Sequence, residues 1–341
     1  MGSSVRRVIA RVLTVGVLLA IIVGAVFAYM NRQTIRDHFD AQNFNASNEI
    51  VALIDRIDLT ATGERVFLAS APTLDASQNF NAQCAKVDHS EEGHVLGCYS
   101  GGRIHLFEVT DERLNGIIEV TAVHELLHAA FARLGDDQRS ELADKLYALY
   151  EELAAENPVL EERMSVYAGL SRIAFANELH SVLGTEVADL PDWLEQHYSE
   201  WLNDRASIVT YFESYHAIFD ELKQRASELQ SLMAALREDV EHRSAVYDDE
   251  VQQFYADWEN FVQRNEAFEF SDNPDEFYRL RDEFYERRDA LGAEMRSLNA
   301  DIERYEQMRA ELLELSELNH ELEQQLDSGL APPAPAPTQE V

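Results

Sequence analysis

Apolar positions along the chain follow three successive patterns. From Val12 to Met30 the chain carries no charge, over about the length a helix needs to cross a hydrocarbon core. This predicts a transmembrane anchor over 12–30, after a short segment 1–11 and before a polar juxtamembrane linker over 31–44. After Ser47 the period becomes helical, with Ile50, Leu53, Ile54 and Ile57 on one face. The stretches "RVFLAS" (65–70) and "HVLGCYSGGRIHLFEV" (94–109) read as strands, the second a hairpin turning at Ser100-Gly101-Gly102. Residues 111–203 return to helical patterns, with breaks near Gly135, at Asn157-Pro158 and between Gly184 and Pro191. Strands followed by helices predict an α+β domain over 45–203.

Beyond Asn203 the pattern becomes a heptad seam. Ile208, Phe212, Tyr215, Phe219, Leu222, Ala226, Leu229, Met233, Leu236 and Val240 alternate steps of four and three. The seam resumes at Tyr247, Val251, Phe254, Trp258 and Phe261, then breaks at Asn273-Pro274. A second seam runs from Phe277 to Leu326. Two such arms around one breaker predict a long antiparallel α-helical coiled-coil hairpin over 204–327; a parallel homodimer is the other arrangement this pattern allows. The Pro/Ala-rich end, 328–341, has too little apolar content to fold.

Charge changes the picture in two ways. A net charge of −35 over 341 residues repels a phosphate backbone and argues against a nucleic-acid partner. Arg6, Arg7 and Arg11 precede the apolar run, which places the N-terminus in the cytoplasm and everything after Asn31 outside. A cleaved signal peptide, with Val26-Phe27-Ala28 as its small-residue site, is the competing reading and exports the same residues. Export gives the two cysteines meaning. Cys84 and Cys98 flank a short polar segment that one disulfide would staple, whereas a zinc role lacks the CxxC spacing.

The candidate chemistry lies in "VTAVHELLHAAF", Val120 to Phe131. On a helix His124 and His128 lie one turn apart on one face and can point at a single metal ion. Zinc accepts imidazole readily, and Glu125 is placed to act as general base on a metal-bound water. The alternative is an ordinary amphipathic helix with two partly exposed histidines. A third ligand is expected downstream, in "SRIAFANELHSVLG". There Glu178 has Ala174, Phe175, Ser181 and Val182 one turn away, so its carboxylate faces inward and needs a metal or a partner such as Arg172.

HELLH followed by NEL on a later helix resembles the gluzincin branch of the zincin metallopeptidases, across residues 95–185. The resemblance implies Zn2+ held by His124, His128 and Glu178, with Glu125 as catalytic base. It also implies that "RIHLF", before the motif helix, is the edge strand on which an extended substrate lies. One departure is that many gluzincins carry an acid four residues past the third ligand, where this chain has Val182. Candidate donors to the oxyanion are His180, His197, Tyr198 and Tyr167, with His180 also an alternative third ligand.

The expectation is therefore a zincin-like peptide hydrolase domain of α+β class, anchored by one N-terminal transmembrane helix, facing outward, and followed by the hairpin. Its expected partners are a peptide or protein substrate in the cell envelope, the membrane, and a coiled-coil partner. The rival is a cell-envelope scaffold that works through its coiled coil and carries an inactive zincin-like domain.

Overall fold

The computed structural model describes residue 16 and residues 18–85 and 94–329. Helix α1 (Leu18–Met30) meets α2 (Arg32–Asn43) at a bend of 68°. Among the described residues no single helix is long and apolar enough to cross a membrane, although this bent pair meets the length and composition together. The arginines at 6, 7 and 11 and residues 12–15 and 17 of the expected anchor lie outside the described residues. The polar stretch 31–44 is helical rather than a spacer. Asp37 of α2 is buried and receives two hydrogen bonds from the Arg133 guanidinium, both 3.0 Å.

Helix α3 (Asn48–Ile57) starts where the Ser47 hydroxyl accepts from the Ile50 amide at 3.3 Å. Helix α4 (Ala61–Ala69) starts likewise, with Thr60 accepting from the Gly63 amide at 3.1 Å. "RVFLAS" therefore belongs to a helix, not a strand. The buried positions Gly63, Val66, Phe67 and Ser70 step by three, one and three, a helical face; a strand would not bury neighbours such as Val66 and Phe67 together.

Among the described residues the sheet has three strands in the order β1 (Thr73–Asp75), β3 (Arg103–Phe107), β2 (Gly97–Ser100). Strand β1 runs parallel to β3, and β2 runs antiparallel to it with Cys98 opposite His105. Gly101 and Gly102 make the two-residue turn at positive φ, 59° and 81°, which glycine adopts without strain. "RIHLF" is thus the central strand rather than the edge, and β2 forms the sheet's edge beside the motif helix. Helix α5 (Ser77–Cys84) ends at the disulfide between Cys84 and Cys98.

A 3-10 turn (Glu112–Leu114) leads into α6 (Ile117–Arg133), which is buried almost all round. Around it pack α7 (Asp136–Glu156), α8 (Pro158–Ser165), α9 (Arg172–Glu186) and α10 (Asp192–Tyr198). Gly184 lets α9 approach α6 closely, since a methyl group there would fall 2.3 Å from Leu127 Cδ1. The molecule is mostly helical, and the small sheet contributes one wall of its core.

Two long helices follow, α11 (Arg205–Glu266) and α12 (Pro274–Leu326). The chain divides into two compact units, 1–217 with 322–341, and 218–321. In the second unit α11 and α12 run antiparallel, fixed by Arg225–Glu311 and by Arg243 with both Glu294 and Asp301. Leu222, Leu229, Met233 and Leu298 are buried along the seam, and Phe261, Phe270 and Phe284 form an aromatic cluster near the turn. Residues 330–341, most of the Pro/Ala segment, lie outside the described residues.

Candidate metal centre

Helix α6 is apolar on nearly every face because it runs through the core, and the exceptions are informative. Val120, Val123, Leu126, Leu127, Ala130 and Phe131 are buried, and so are His124, Glu125 and His128. Core packing therefore fixes these three ionisable groups together, where burying a charge without compensation is expensive. The fourth buried one on this helix, Glu119, is paired with Arg56. His124 and His128 meet edge to face one turn apart, with ring centroids 4.8 Å from each other.

Compensation comes from α9. The Glu178 Oε2 lies 3.4 Å from His128 Nε2 and 4.0 Å from His124 Nε2, with the Glu178 side chain 20% exposed. The three ligand atoms fall within 4.8 Å of one another, so this group can hold a metal ion. Two imidazole nitrogens and one carboxylate oxygen make a donor set that suits a borderline divalent cation with a position left open. Arg172, the rival partner for Glu178, pairs with Asp144 instead, at 2.6 Å.

Without a metal, the electrostatics of the two imidazoles diverge. Burial pushes His124 well below its ordinary value, helped by the positive charges of His128 and Arg163. Burial also opposes charge on His128, but the Glu178 carboxylate outweighs it and raises that group to about 10. A single proton on His128 thus balances Glu178, and a bound cation would take over that role.

The group that orients His128 is not the acid of the gluzincin pattern. Val182 is buried and apolar. Ser181, one residue earlier, places its hydroxyl 3.3 Å from His128 Nδ1 and 3.4 Å from the Asn177 carbonyl. With Nε2 used for a metal, Nδ1–H donates to the serine oxygen, whose own proton goes to Asn177.

A cleft of about 200 Å3 opens onto His124 and Glu125. One wall is Gly97 of β2, where a methyl group would sit 2.7 Å from Glu125 Oε1 and 2.6 Å from Thr121 Cγ2. Only a residue without a side chain leaves the Glu125 carboxylate where it is. Another wall comes from Tyr215 and His216, near the start of α11. A third carries Arg163 of α8 and Glu186 of α9. His94 also lines the cleft, its Nε2 2.6 Å from Glu323 Oε2 of α12.

The structure places the four expected oxyanion donors elsewhere. His180, two residues past Glu178, points from the opposite side of α9 and is fully buried. Its Nε2 lies 3.0 Å from His197 Nε2, and the Tyr198 hydroxyl donates to its carbonyl oxygen at 2.7 Å. Burial lowers His180 well below its ordinary value and His197 to about 4. Phe131 and Trp201 pack against His180, so these residues form an internal imidazole–aromatic cluster. His180 is not in the ligand group, which Glu178 completes. Tyr167 is buried and accepts a hydrogen bond from Arg163 Nη1 at 3.2 Å.

Beyond His124 and Glu125, sequence periodicity does not reveal the polar residues and the glycine that line the cleft. Arg163, Glu186, Gly97 and His216 come from four separate elements and share no ligand-like spacing. The Ser181 contact had a faint signal, its position one turn from Glu178. Comparison with protein-family models, curated proteins and solved structures finds no match for this chain.

Proposed function

We propose that the chain is a membrane-anchored, extracytoplasmic zinc metallopeptidase. The observation that carries this reading is the convergence of His124, His128 and Glu178 at one point beside a cleft lined by Glu125. A purely structural centre has no use for a buried carboxylate at the cleft next to its ligands.

Zinc held by these three residues would supply an activated water and polarise the substrate carbonyl. Glu125 then takes the proton of the attacking water and passes it to the leaving nitrogen. Ser181 orients His128, and the glycine at 97 leaves room for the Glu125 carboxylate. The open edge of β2 suits an extended substrate. The Leu96 carbonyl is bonded to Phe107 of β3, so by alternation the backbone groups of Gly97 point away from the sheet, towards that edge.

Localisation follows from two features. The apolar run at 12–30 and its preceding arginines favour an anchor with a cytoplasmic N-terminus. The Cys84–Cys98 disulfide fits an oxidising compartment outside the cytoplasm. The substrate is accordingly a peptide or protein of the cell envelope, and the hairpin is the surface for a helical partner.

The deciding experiment pairs metal analysis with hydrolysis of a peptide library. The unmodified chain should hold one zinc and cleave. The Glu125→Gln variant should hold zinc and not cleave, and hydrolysis surviving in it would refute the mechanism.

A further inference from the structure

We infer that Arg163 is a catalytic residue of this cleft: its guanidinium faces the carbonyl oxygen of a bound peptide and stabilises the oxyanion formed there. The inference rests on the peptidase reading and adds the donor that the reading needs and that His180, His197 and Tyr198 do not supply.

Position comes first. Arg163 lines the same cleft as His124 and Glu125, and among the described residues lining it Arg163 is the one Arg or Lys. Its side chain is 27% exposed, so it is held by the protein while still open to the cleft. Preorganisation comes second. Nε and Nη2 donate to the Glu186 carboxylate at 3.2–3.3 Å, and Nη1 donates to the Tyr167 hydroxyl at 3.2 Å. An anchored fork needs little reorganisation as charge develops opposite it, which is what makes such a donor effective. The other donors lining the cleft are less suited. The Thr121 hydroxyl donates to the Ile117 carbonyl at 2.8 Å. The Tyr215 phenol is uncharged, a weaker partner for an oxyanion than a guanidinium. His216 is exposed and packs on Phe212, with ring centroids 4.7 Å apart, and His94 is engaged with Glu323.

The chemistry balances without any co-reactant. As the water oxygen bonds the carbonyl carbon, the C=O π pair moves onto the carbonyl oxygen, opposite Arg163. Glu125 accepts one water proton and delivers it to nitrogen as the oxyanion pair re-forms the C=O bond and the C–N bond breaks. This leaves a carboxylic acid and an amine, between which the second water proton passes to give carboxylate and ammonium. Arg163 neither gains nor loses a proton.

The test uses the zinc-loaded full-length chain, its Arg163→Ala and Arg163→Lys variants, the best peptide from a library digest, and a phosphinic analogue of that peptide. Zinc stoichiometry and thermal melting are measured alongside the kinetics. Arg163→Ala should keep one zinc and lose about a hundred- to a thousandfold in kcat, with little change in KM. Its affinity for the phosphinic analogue should fall by the same factor as kcat/KM. Arg163→Lys should fall between the two, since it keeps charge without the fork. A raised KM with unchanged kcat would make Arg163 a ground-state contact and overturn the inference, as would loss of zinc in both variants, which marks a strut. Full activity in Arg163→Ala would overturn this inference alone. A zinc-loaded parent that neither cleaves peptides nor binds the analogue would overturn the peptidase reading itself, and this inference with it.

Discussion

Gly97 and Ser181 show how single residues hold the centre in place. At position 97 a methyl group has nowhere to go, because Thr121 and Glu125 already occupy its space at 2.6–2.8 Å. Gly97→Ala should therefore push the Glu125 carboxylate aside, and a shift of about an ångström in a catalytic group lowers kcat by about a hundredfold. Zinc stoichiometry should not change, because Glu125 is not a ligand; metal loss in this variant would show that β2 supports the whole site. Ser181→Ala should do the reverse. It removes the acceptor for His128 Nδ1, so metal affinity should drop by roughly tenfold to a hundredfold in a chelator competition, with kcat at saturating metal nearly unchanged. His124, His128 and Glu178 were legible in the sequence because helical period alone puts the two histidines together and turns the glutamate inward. Gly97 and Arg163 were not, since their roles exist only once β2 and α8 are packed against α6.

Among elements, α2 and the stapled α5–β2 pair hold the most weight outside the core helices. Asp37 and Arg133 tie α2 to the last turn of α6 with side chains only 6% and 14% exposed. Removing one partner of such a pair leaves the other charge buried, so Asp37→Ala should lower stability by about 3–5 kcal/mol in urea denaturation. A loss under about 1 kcal/mol would mean that α2 is only loosely held. The disulfide closes a segment with a sequence separation of 14, and chain entropy for a loop of that size predicts about 3 kcal/mol from it. The Cys84→Ser, Cys98→Ser double variant should show that deficit without reductant, and thiol labelling of the unmodified chain should find neither cysteine free. Most long elements were readable from their period and caps, as with Ser47 before α3 and Asn157 before α8. Three were not. Strand β1 has three residues, too few to show alternation. Helix α4 carries β-prone Val66 and Phe67 together, and tertiary packing against Trp201 overrides that local preference. Helix α2 is mostly polar, it leaves Ile35 and Phe39 exposed, and the residue it buries is the charged Asp37, so composition disguised it as a spacer.

At the scale of the molecule, the division into two units makes a prediction about unfolding. The metal group belongs to the unit formed by 1–217 and 322–341, while residues 218–321 form a helical unit of their own. The three tryptophans divide the same way: Trp193 and Trp201 lie in the first unit and Trp258 in the second. Metal that binds only the folded first unit should stabilise that unit alone. At a thousandfold excess over its dissociation constant the contribution is about 4 kcal/mol, or roughly 10 °C for a unit of this size. Helix α11 runs unbroken across the boundary and argues for coupling. Against that, a helix by itself transmits cooperativity weakly, and the second unit has its own seam and aromatic cluster. Independent melting should win. In the Trp258→Phe variant, fluorescence then follows the first unit, and a chelator should shift its midpoint down by that amount. Circular dichroism should show a helical signal outlasting the first transition, with a second midpoint that the chelator leaves in place. A single transition that moves as a whole on chelation would show instead that the hairpin and the metal-bearing unit fold as one, and that the continuous helix α11 binds their stabilities together.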